Sequence, residues 1–205
     1  MALPMTTSMQ AHAPESTLTN VNHSAQLALR PNVTEREAFR MLHGSGFGAL
    51  YLRTLRGPLQ RLATAYVPFR LYRVEYDLGR THNSRAFGLD QVDGSLDLFE
   101  FKSVPVADQM VALASRNILP ARISTEQADA ALREKSLRTI FQKGFFQVRN
   151  LALRIEPLTE EFCMPYWLGF YGTDGTLRCR VMDAIRRRME GSKAATLFET
   201  WLISD

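Results

Sequence analysis

The chain has 205 residues, of which 45% are apolar and 22% are charged, and its formal net charge is +4. This composition is ordinary for a soluble globular protein with a sizeable core, and the charge is well below that of a dedicated nucleic-acid binder. No apolar run approaches the roughly 20 residues of a membrane-spanning helix. The only two cysteines form no CxxC pair, which argues against a structural zinc site.

The N-terminal stretch of the sequence shows little hydrophobic periodicity. Residues 1–28 are rich in Ser, Thr, Ala and Pro, and we expect a flexible arm there. The first 20 residues lack both the basic n-region and the continuous apolar h-region of a signal peptide. We therefore expect a cytoplasmic location.

A first helix–hairpin unit is predicted over residues 29–105. Thr34 followed by Glu37 is a capping-box signature, and a short apolar stripe follows it. Glycines from Gly44 onward favour the helix end. The pattern then predicts a strand at 65–76, a loop at 77–84, a returning strand at 85–90, a turn at Asp93-Gly94 and a third strand at 95–101.

A linker helix is predicted at 106–118, and a second helix–hairpin unit at 119–205. Ser124 with Gln127 gives another capping box, for a helix that extends to about residue 142. A strand follows at 158–172, then a turn at Asp174-Gly175 and a returning strand at 176–183. Asp183 can N-cap a short helix that contains Ile185 and Met189, and after Ser192 an apolar stripe of Leu197, Phe198, Trp201 and Leu202 predicts a C-terminal helix.

The two units repeat the same features at similar spacings. The capping segments are 90 residues apart, Pro68 and Pro165 are 97 apart, and Asp90 and Asp183 are 93 apart. We therefore expect an internal duplication and an α+β fold: two related helix–β-hairpin units with antiparallel sheet, plus a C-terminal helix. Whether the units form one sheet or two packed layers stays open.

Strand alternation predicts which residues of the hairpins face the core. The predicted inward set is Ala65, Val67, Phe69 and Leu71 in the first unit, and Phe162, Met164, Tyr166, Leu168, Phe170, Cys179 and Val181 in the second. The opposite face carries Trp167, Tyr171, Arg178 and Arg180. Three interpretations of that face stay open: a helix covers it, it is a solvated lattice of aromatic and Arg side chains, or it is an exposed aromatic–basic groove for a partner.

A basic cluster follows the second hairpin. Residues 178–193 contain Arg178, Arg180, Arg186, Arg187, Arg188 and Lys193 against two acidic residues. Such a cluster could bind phosphates or an acidic protein surface. The alternative is a solvated face with local ion pairs, such as Arg186 with Glu190.

No catalytic motif stands out. The sequence has no phosphate-binding glycine loop, no HExxH and no G-x-S-x-G elbow. We predict no metal site and no cofactor, and we expect that the protein is not an enzyme. The remaining enzymatic alternative is a concealed site near Cys163.

The motifs TEREA at 34–38 and STEQA at 124–128, with Asp90 and Gly94 after the strands, resemble the PepSY-type module. The resemblance implies a small α+β module that binds or inhibits other proteins. The repeated units, the missing catalytic motif and the aromatic–Arg face favour a non-catalytic binding or accessory module as the leading functional hypothesis. Its partner would be another protein or a second copy of the chain. The alternative is nucleic-acid or anion binding through the cluster Arg178–Lys193.

Overall fold

The chain is described by a computed structural model over residues 26–44, 57–78, 80–142, 152–172 and 178–204. These residues form three α-helices and a mostly antiparallel sheet, so the predicted α+β class is confirmed. The helices are α1 (Glu35–His43), α2 (Thr125–Gln142) and α3 (Ser192–Ser204). The strands are β1 (Leu27–Leu29), β2 (Leu59–Leu78), β3 (Thr81–Asp90), β4 (Phe99–Phe101), β5 (Met110–Ala112), β6 (Leu153–Tyr171), β7 (Arg178–Asp183) and β8 (Arg188–Met189).

Two long antiparallel strands, β2 and β6, form the centre of the sheet. They pair from Leu59 opposite Tyr171 to Tyr76 opposite Leu153, with two register shifts. The strand order is β4-β3-β2-β6-β1-β5, and β7 joins β6 and carries β8. The two predicted units therefore share one sheet, which answers the question that the sequence left open.

The predicted inward faces of the two hairpins meet in one core. Val67 pairs with Met164 and Phe69 pairs with Phe162, and all four side chains are buried in the same cluster. Ala65, Leu71, Tyr166, Leu168, Cys179 and Val181 belong to this cluster as well, and Phe170 packs against it. Helix α3 closes this side with Leu197 and Phe198. Alternation along a strand thus predicted the core positions correctly.

Both predicted capping boxes are present. Thr34 Oγ1 accepts the N–H of Glu37 at 3.4 Å, and Glu37 Oε2 accepts the N–H of Thr34 at 2.9 Å. Ser124 and Gln127 make the same reciprocal pair at the start of α2. Gly44 follows α1 with φ of 78°, a conformation that glycine adopts without strain.

Helices α1 and α2 pack on the face of the sheet opposite to α3. Each of them covers the hairpin of the other half of the chain. Ala38 of α1 packs with Met182 of β7, whereas Ala128 of α2 packs with Leu89 of β3. Within the described residues, each helix therefore packs on strands of the other half of the chain.

Several predicted boundaries need correction. Strand β2 begins at Leu59 rather than residue 65, and β6 begins at Leu153 rather than residue 158. Most of the predicted loop 77–84 is paired strand. Residues 27 and 28, predicted in the arm, pair with β5. The predicted linker helix 106–118 is a short 3-10 helix at Ala107–Gln109 followed by β5, because residues 110–112 pair with β1. Residues 1–25 and the predicted turn at 174–175 lie outside the described residues.

The predicted third strand at 95–101 shortens to β4 because Asp90 holds the preceding backbone in a turn. The Asp90 carboxylate is buried and accepts the N–H groups of Asp93, Gly94 and Leu96 at 2.9–3.2 Å. Gly94 has φ of 69°, and a Cβ there would lie 2.8 Å from Ile123 Cδ1. The turn therefore depends on a carboxylate at 90 and on glycine at 94.

The two halves make equivalent hydrogen bonds at the offsets seen in the sequence. The N–H of Gln91 donates to Pro68 O, and the N–H of Ala184 donates to Pro165 O. Arg122 N–H donates to Gln91 O, and Asn32 N–H donates to Ala184 O. The parallel contacts of Tyr66 with Ile118 and of Cys163 with Ala28 follow the same offsets. This correspondence defines an approximate internal two-fold relation, while descent from a duplicated unit stays a prediction.

Candidate functional site

The aromatic face of the second hairpin is covered by α1. Tyr171 is 1% exposed, and its hydroxyl donates to Leu42 O at 2.5 Å. Trp167 is half-buried, and its Nε1–H donates to Val33 O at 3.2 Å. Of the three interpretations that the sequence allowed, the covering helix is correct, and the expectation of an exposed aromatic groove is wrong. Both rings hold α1 on the sheet.

Arg178 and Arg180 lie on β7, opposite Tyr171 and Gly169 of β6. Arg178 is exposed and Arg180 is half-buried. Within the described part of the chain, no acidic side chain lies within ion-pair distance of either guanidinium. These two cations are therefore available to solvent without the aromatic surface that was predicted beside them.

The other arginines of the basic cluster have acidic partners. Arg186 Nε lies 2.5 Å from Asp183 Oδ2, and its Nη2 lies 3.0 Å from Glu190 Oε1. Arg187 pairs with Glu37 at 2.9 Å, and Arg188 pairs with Glu190 at 3.2 Å. The segment is a turn followed by β8 rather than the expected short helix, and Arg187 has φ of 56°.

The Arg186 contacts hold the second hairpin to the first half of the chain. Arg186 is stacked over the Phe99 ring at 4.9 Å, so one guanidinium joins β4, the turn after β7 and Glu190. A guanidinium that is already paired offers fewer free donors to phosphate. The geometry therefore favours the interpretation of local ion pairs over a phosphate-binding cluster.

The two cysteines are free and buried, on opposite sides of the sheet. Cys163 lies beside Ala28 of β1, and Cys179 lies in the core with α3. Burial raises the pKa of the Cys163 thiol to about 11 and that of Cys179 to about 12. A thiol is a nucleophile only as the thiolate, so neither position suits covalent catalysis at neutral pH.

We expect both thiols of the native protein to react with Ellman's reagent at pH 8 more than about 100-fold slower than a model thiol of pKa about 8.5, because so little thiolate is present. In denaturant both should react at the rate of the model thiol. The measurement is the rate of thionitrobenzoate release in each condition. A native thiol that reacts as fast as the model compound would contradict the placement of Cys163 in a closed environment.

A second pair of perturbed groups lies at the Asp90 turn. Burial raises the pKa of the Asp90 carboxyl, against the three backbone N–H groups that favour its charged form. The ammonium of Lys135, on α2, donates to Gly94 O and Leu96 O, and burial lowers the pKa of this amine. Both groups are occupied with the backbone of the turn, so we interpret them as a structural link between α2 and the loop.

An open groove lies between α3, the turn after Asp90 and the segment that leads to α2. We call it the α3 groove; it encloses about 390 Å³. Apolar side chains form its floor: Val92, Leu119, Leu197 and Trp201. Arg122, Lys193 and Asp93 are the charged residues at its rim, with the hydroxyl residues Ser95, Ser192, Thr196 and Thr200 between them. Its volume falls in the range of sites that bind small molecules or side chains of a partner.

Sequence analysis identified only part of this groove. Leu197 and Trp201 were recognised as an apolar stripe, and Lys193 as part of the basic cluster. Arg122 and Leu119 lie in an irregular segment of the chain, so no periodic pattern marked them. Their position became visible only when the fold placed that segment beside α3.

Other classes of site find little support in the described residues. In that part of the chain, no group of three His, Cys, Asp or Glu side chains has the geometry to hold a metal ion. None of the three described helices is both long and apolar enough to cross a membrane. No known protein family matches the sequence, and comparisons with curated proteins and with solved structures also found no match.

Proposed function

We propose that this chain is a non-catalytic binding module and that it acts through protein contacts at the α3 groove. The observation that carries the proposal is the composition of the groove. Its floor combines Trp201 with aliphatic side chains, and charged and hydroxyl groups surround it. Apolar centres within polar rims, often with a tryptophan, are typical of protein interfaces.

The exposed end of α3 extends this surface. Leu202 and Ile203 follow Trp201 and are 42% and 86% exposed. Ile203 lies three residues after Thr200, so it continues the face of α3 that lines the groove. An exposed apolar side chain beside an apolar groove supports binding of a protein segment rather than of a small polar ligand.

The two alternative functions have less support. Nucleic-acid binding through residues 178–193 relies on Arg178, Arg180 and Lys193, since Arg186, Arg187 and Arg188 each form an ion pair with an acidic side chain at 2.5–3.2 Å. An enzyme centred on Cys163 is disfavoured by the closed environment of that thiol. The PepSY resemblance, the cytoplasmic location and the internal duplication remain predictions, and the first agrees with a binding role.

The experiment is to fill the groove and compare partners. Thr196 is exposed on α3 and lines the groove, so Thr196→Trp should block it without disturbing the core. Thr125→Trp, at an exposed position at the start of α2, is the matched control. Each variant is immobilised, and the proteins retained from an extract of the native host are quantified by mass spectrometry.

We expect at least one protein to be retained by the original chain and by Thr125→Trp but to be depleted more than tenfold with Thr196→Trp. Circular dichroism of the three proteins should be the same, which shows that the fold is intact. Identical sets of retained proteins for Thr196→Trp and the original chain would contradict the proposal.

A further inference from the structure

A second groove lies on the same side of the sheet, at the position related to the α3 groove by the internal two-fold relation. We call it the β4 groove; it encloses about 330 Å³. The segment after β1, the turn after β7 and the segment after β4 form its walls. The α3 groove is formed by the segment before α2, the turn after β3 and the segment after β8. Each wall of one groove thus has its counterpart in the other.

Several lining residues of the two grooves occupy equivalent positions. The offset of 90 that relates the capping boxes takes Leu29 to Leu119 and Asn32 to Arg122. The offset of 93 that relates Asp90 to Asp183 takes Val92 to Ile185.

The third wall of each groove comes after a short outer strand, β4 in one half and β8 in the other. The pairing of these two strands shows which residues of the walls are equivalent. Phe99 lies opposite Gly88, and the N–H of Glu190 donates to Val181 O. Phe99 and Glu190 are therefore equivalent, 91 residues apart. The same offset takes Lys102 to Lys193, and each of these lysines lines its groove.

The two grooves have the same chemistry, although few of the equivalent side chains are identical. Each floor has an aliphatic pair, Leu29 with Ile185 and Leu119 with Val92, beside Phe99 and Phe101 in the β4 groove and Trp201 in the α3 groove. Each rim has two basic residues and one acidic residue: Arg30, Lys102 and Asp108 in the β4 groove, and Arg122, Lys193 and Asp93 in the α3 groove. Both grooves therefore have a net charge of +1 above an apolar floor.

The basic residues of the rims are largely unneutralised. Arg30, Lys102 and Arg122 are exposed, and in the described ranges no acidic side chain pairs with them. Lys193 has only a distant contact, 3.9 Å from Asp97. A cation above an apolar floor is complementary to a carboxylate carried between apolar side chains.

We infer that the two grooves are equivalent docking sites for one kind of partner segment, an acidic residue flanked by aliphatic residues, so that one chain binds two such segments. The inference rests on the proposed function and extends it from one groove to two. A partner that offers two copies of the segment, as a symmetric dimer or a repeat, would gain affinity from simultaneous binding.

The test uses a short peptide and amide NMR spectra of the full chain. The probe is acetyl-Leu-Glu-Leu-amide at millimolar concentration, and acetyl-Leu-Gln-Leu-amide is the uncharged control. We expect saturable shifts of amides around both Leu29 and Leu119 with the glutamate peptide, and at least fivefold weaker binding of the glutamine peptide. Lys102→Gln should weaken binding at the β4 groove alone, and Lys193→Gln at the α3 groove alone.

Each outcome decides a separate point. Shifts confined to the α3 groove would overturn the two-site inference and leave the proposed function in place. Shifts at neither groove, or equal binding of both peptides, would overturn the acidic–aliphatic specificity. The proposed function itself is decided by the Thr196→Trp comparison, which uses no peptide. Because both lysines are exposed, the unperturbed remainder of each variant spectrum shows that the fold is kept.

Discussion

Replacement of Asp183 with alanine should lower the free energy of unfolding by about 3–5 kcal/mol, the cost of leaving a buried charge network without one partner. The Asp183 side chain is fully buried, and Oδ1 accepts the N–H groups of Ile185 and Arg186 at 2.7 and 2.8 Å. Its other oxygen pairs with Arg186 Nε at 2.5 Å. The substitution leaves these donors without their acceptor in a largely enclosed site.

Urea unfolding followed by circular dichroism measures this loss. The matched control is Asp97→Ala, because the Asp97 side chain is 69% exposed and lies 3.9 Å from Lys193. Such a surface pair contributes about 0–1 kcal/mol, so the control should change stability by no more than that. Equal losses for the two variants would show that Asp183 does not hold the turn after β7.

Phe69→Ala should also cost about 3–5 kcal/mol, because it removes a large side chain from the centre of the core. Phe69 is 1% exposed and pairs with Phe162 across the β2–β6 ladder. Its ring also lies against Gly88, where an added Cβ would be 3.1 Å from Phe69 Cδ1. The cavity therefore opens where β2, β3 and β6 meet.

The control for this prediction is the same substitution at an exposed position. Phe39 lies on α1, is 47% exposed and stacks on His43 with ring centroids 5.5 Å apart. Phe39→Ala should cost less than about 1 kcal/mol. A cost for Phe69→Ala as small as that for Phe39→Ala would contradict a single core shared by both hairpins.

The residues that hold the fold were easier to predict than those that form the grooves. Ser124 and Gln127 predict the start of a helix because a capping box joins groups that are three residues apart. The positions of Val67 and Met164 in the core could be predicted because alternation places every second residue of a strand on the same face of the sheet. By contrast, the Leu119 segment and the turn at Val92 have no local periodicity, so the grooves that they line could not be read from local patterns.

The aromatic face of the second hairpin shows the same difference between what a local pattern predicts and what the packing decides. The sequence placed Trp167 and Tyr171 on one side of β6, and the structure agrees. Whether a helix covers that side depends on where α1 packs. Ala38 of α1 packs with Met182, and the Tyr171 hydroxyl donates to Leu42 O of α1. Both contacts join residues that are more than 100 positions apart in the sequence. Such a contact leaves no trace in a short window of sequence.

By itself, the sequence determined the helix starts, the inward residues of the two hairpins, and the offsets of 90, 93 and 97 between the halves. These features arise from interactions between near neighbours and from strand alternation, which a linear pattern records. Only the tertiary structure decided that both hairpins share one sheet and that each of α1 and α2 covers the other half. It also decided that Arg186 and Arg187 are paired and that two grooves lie at equivalent positions. Burial and charge pairing between distant segments depend on how the chain packs, and packing is a property of the folded molecule.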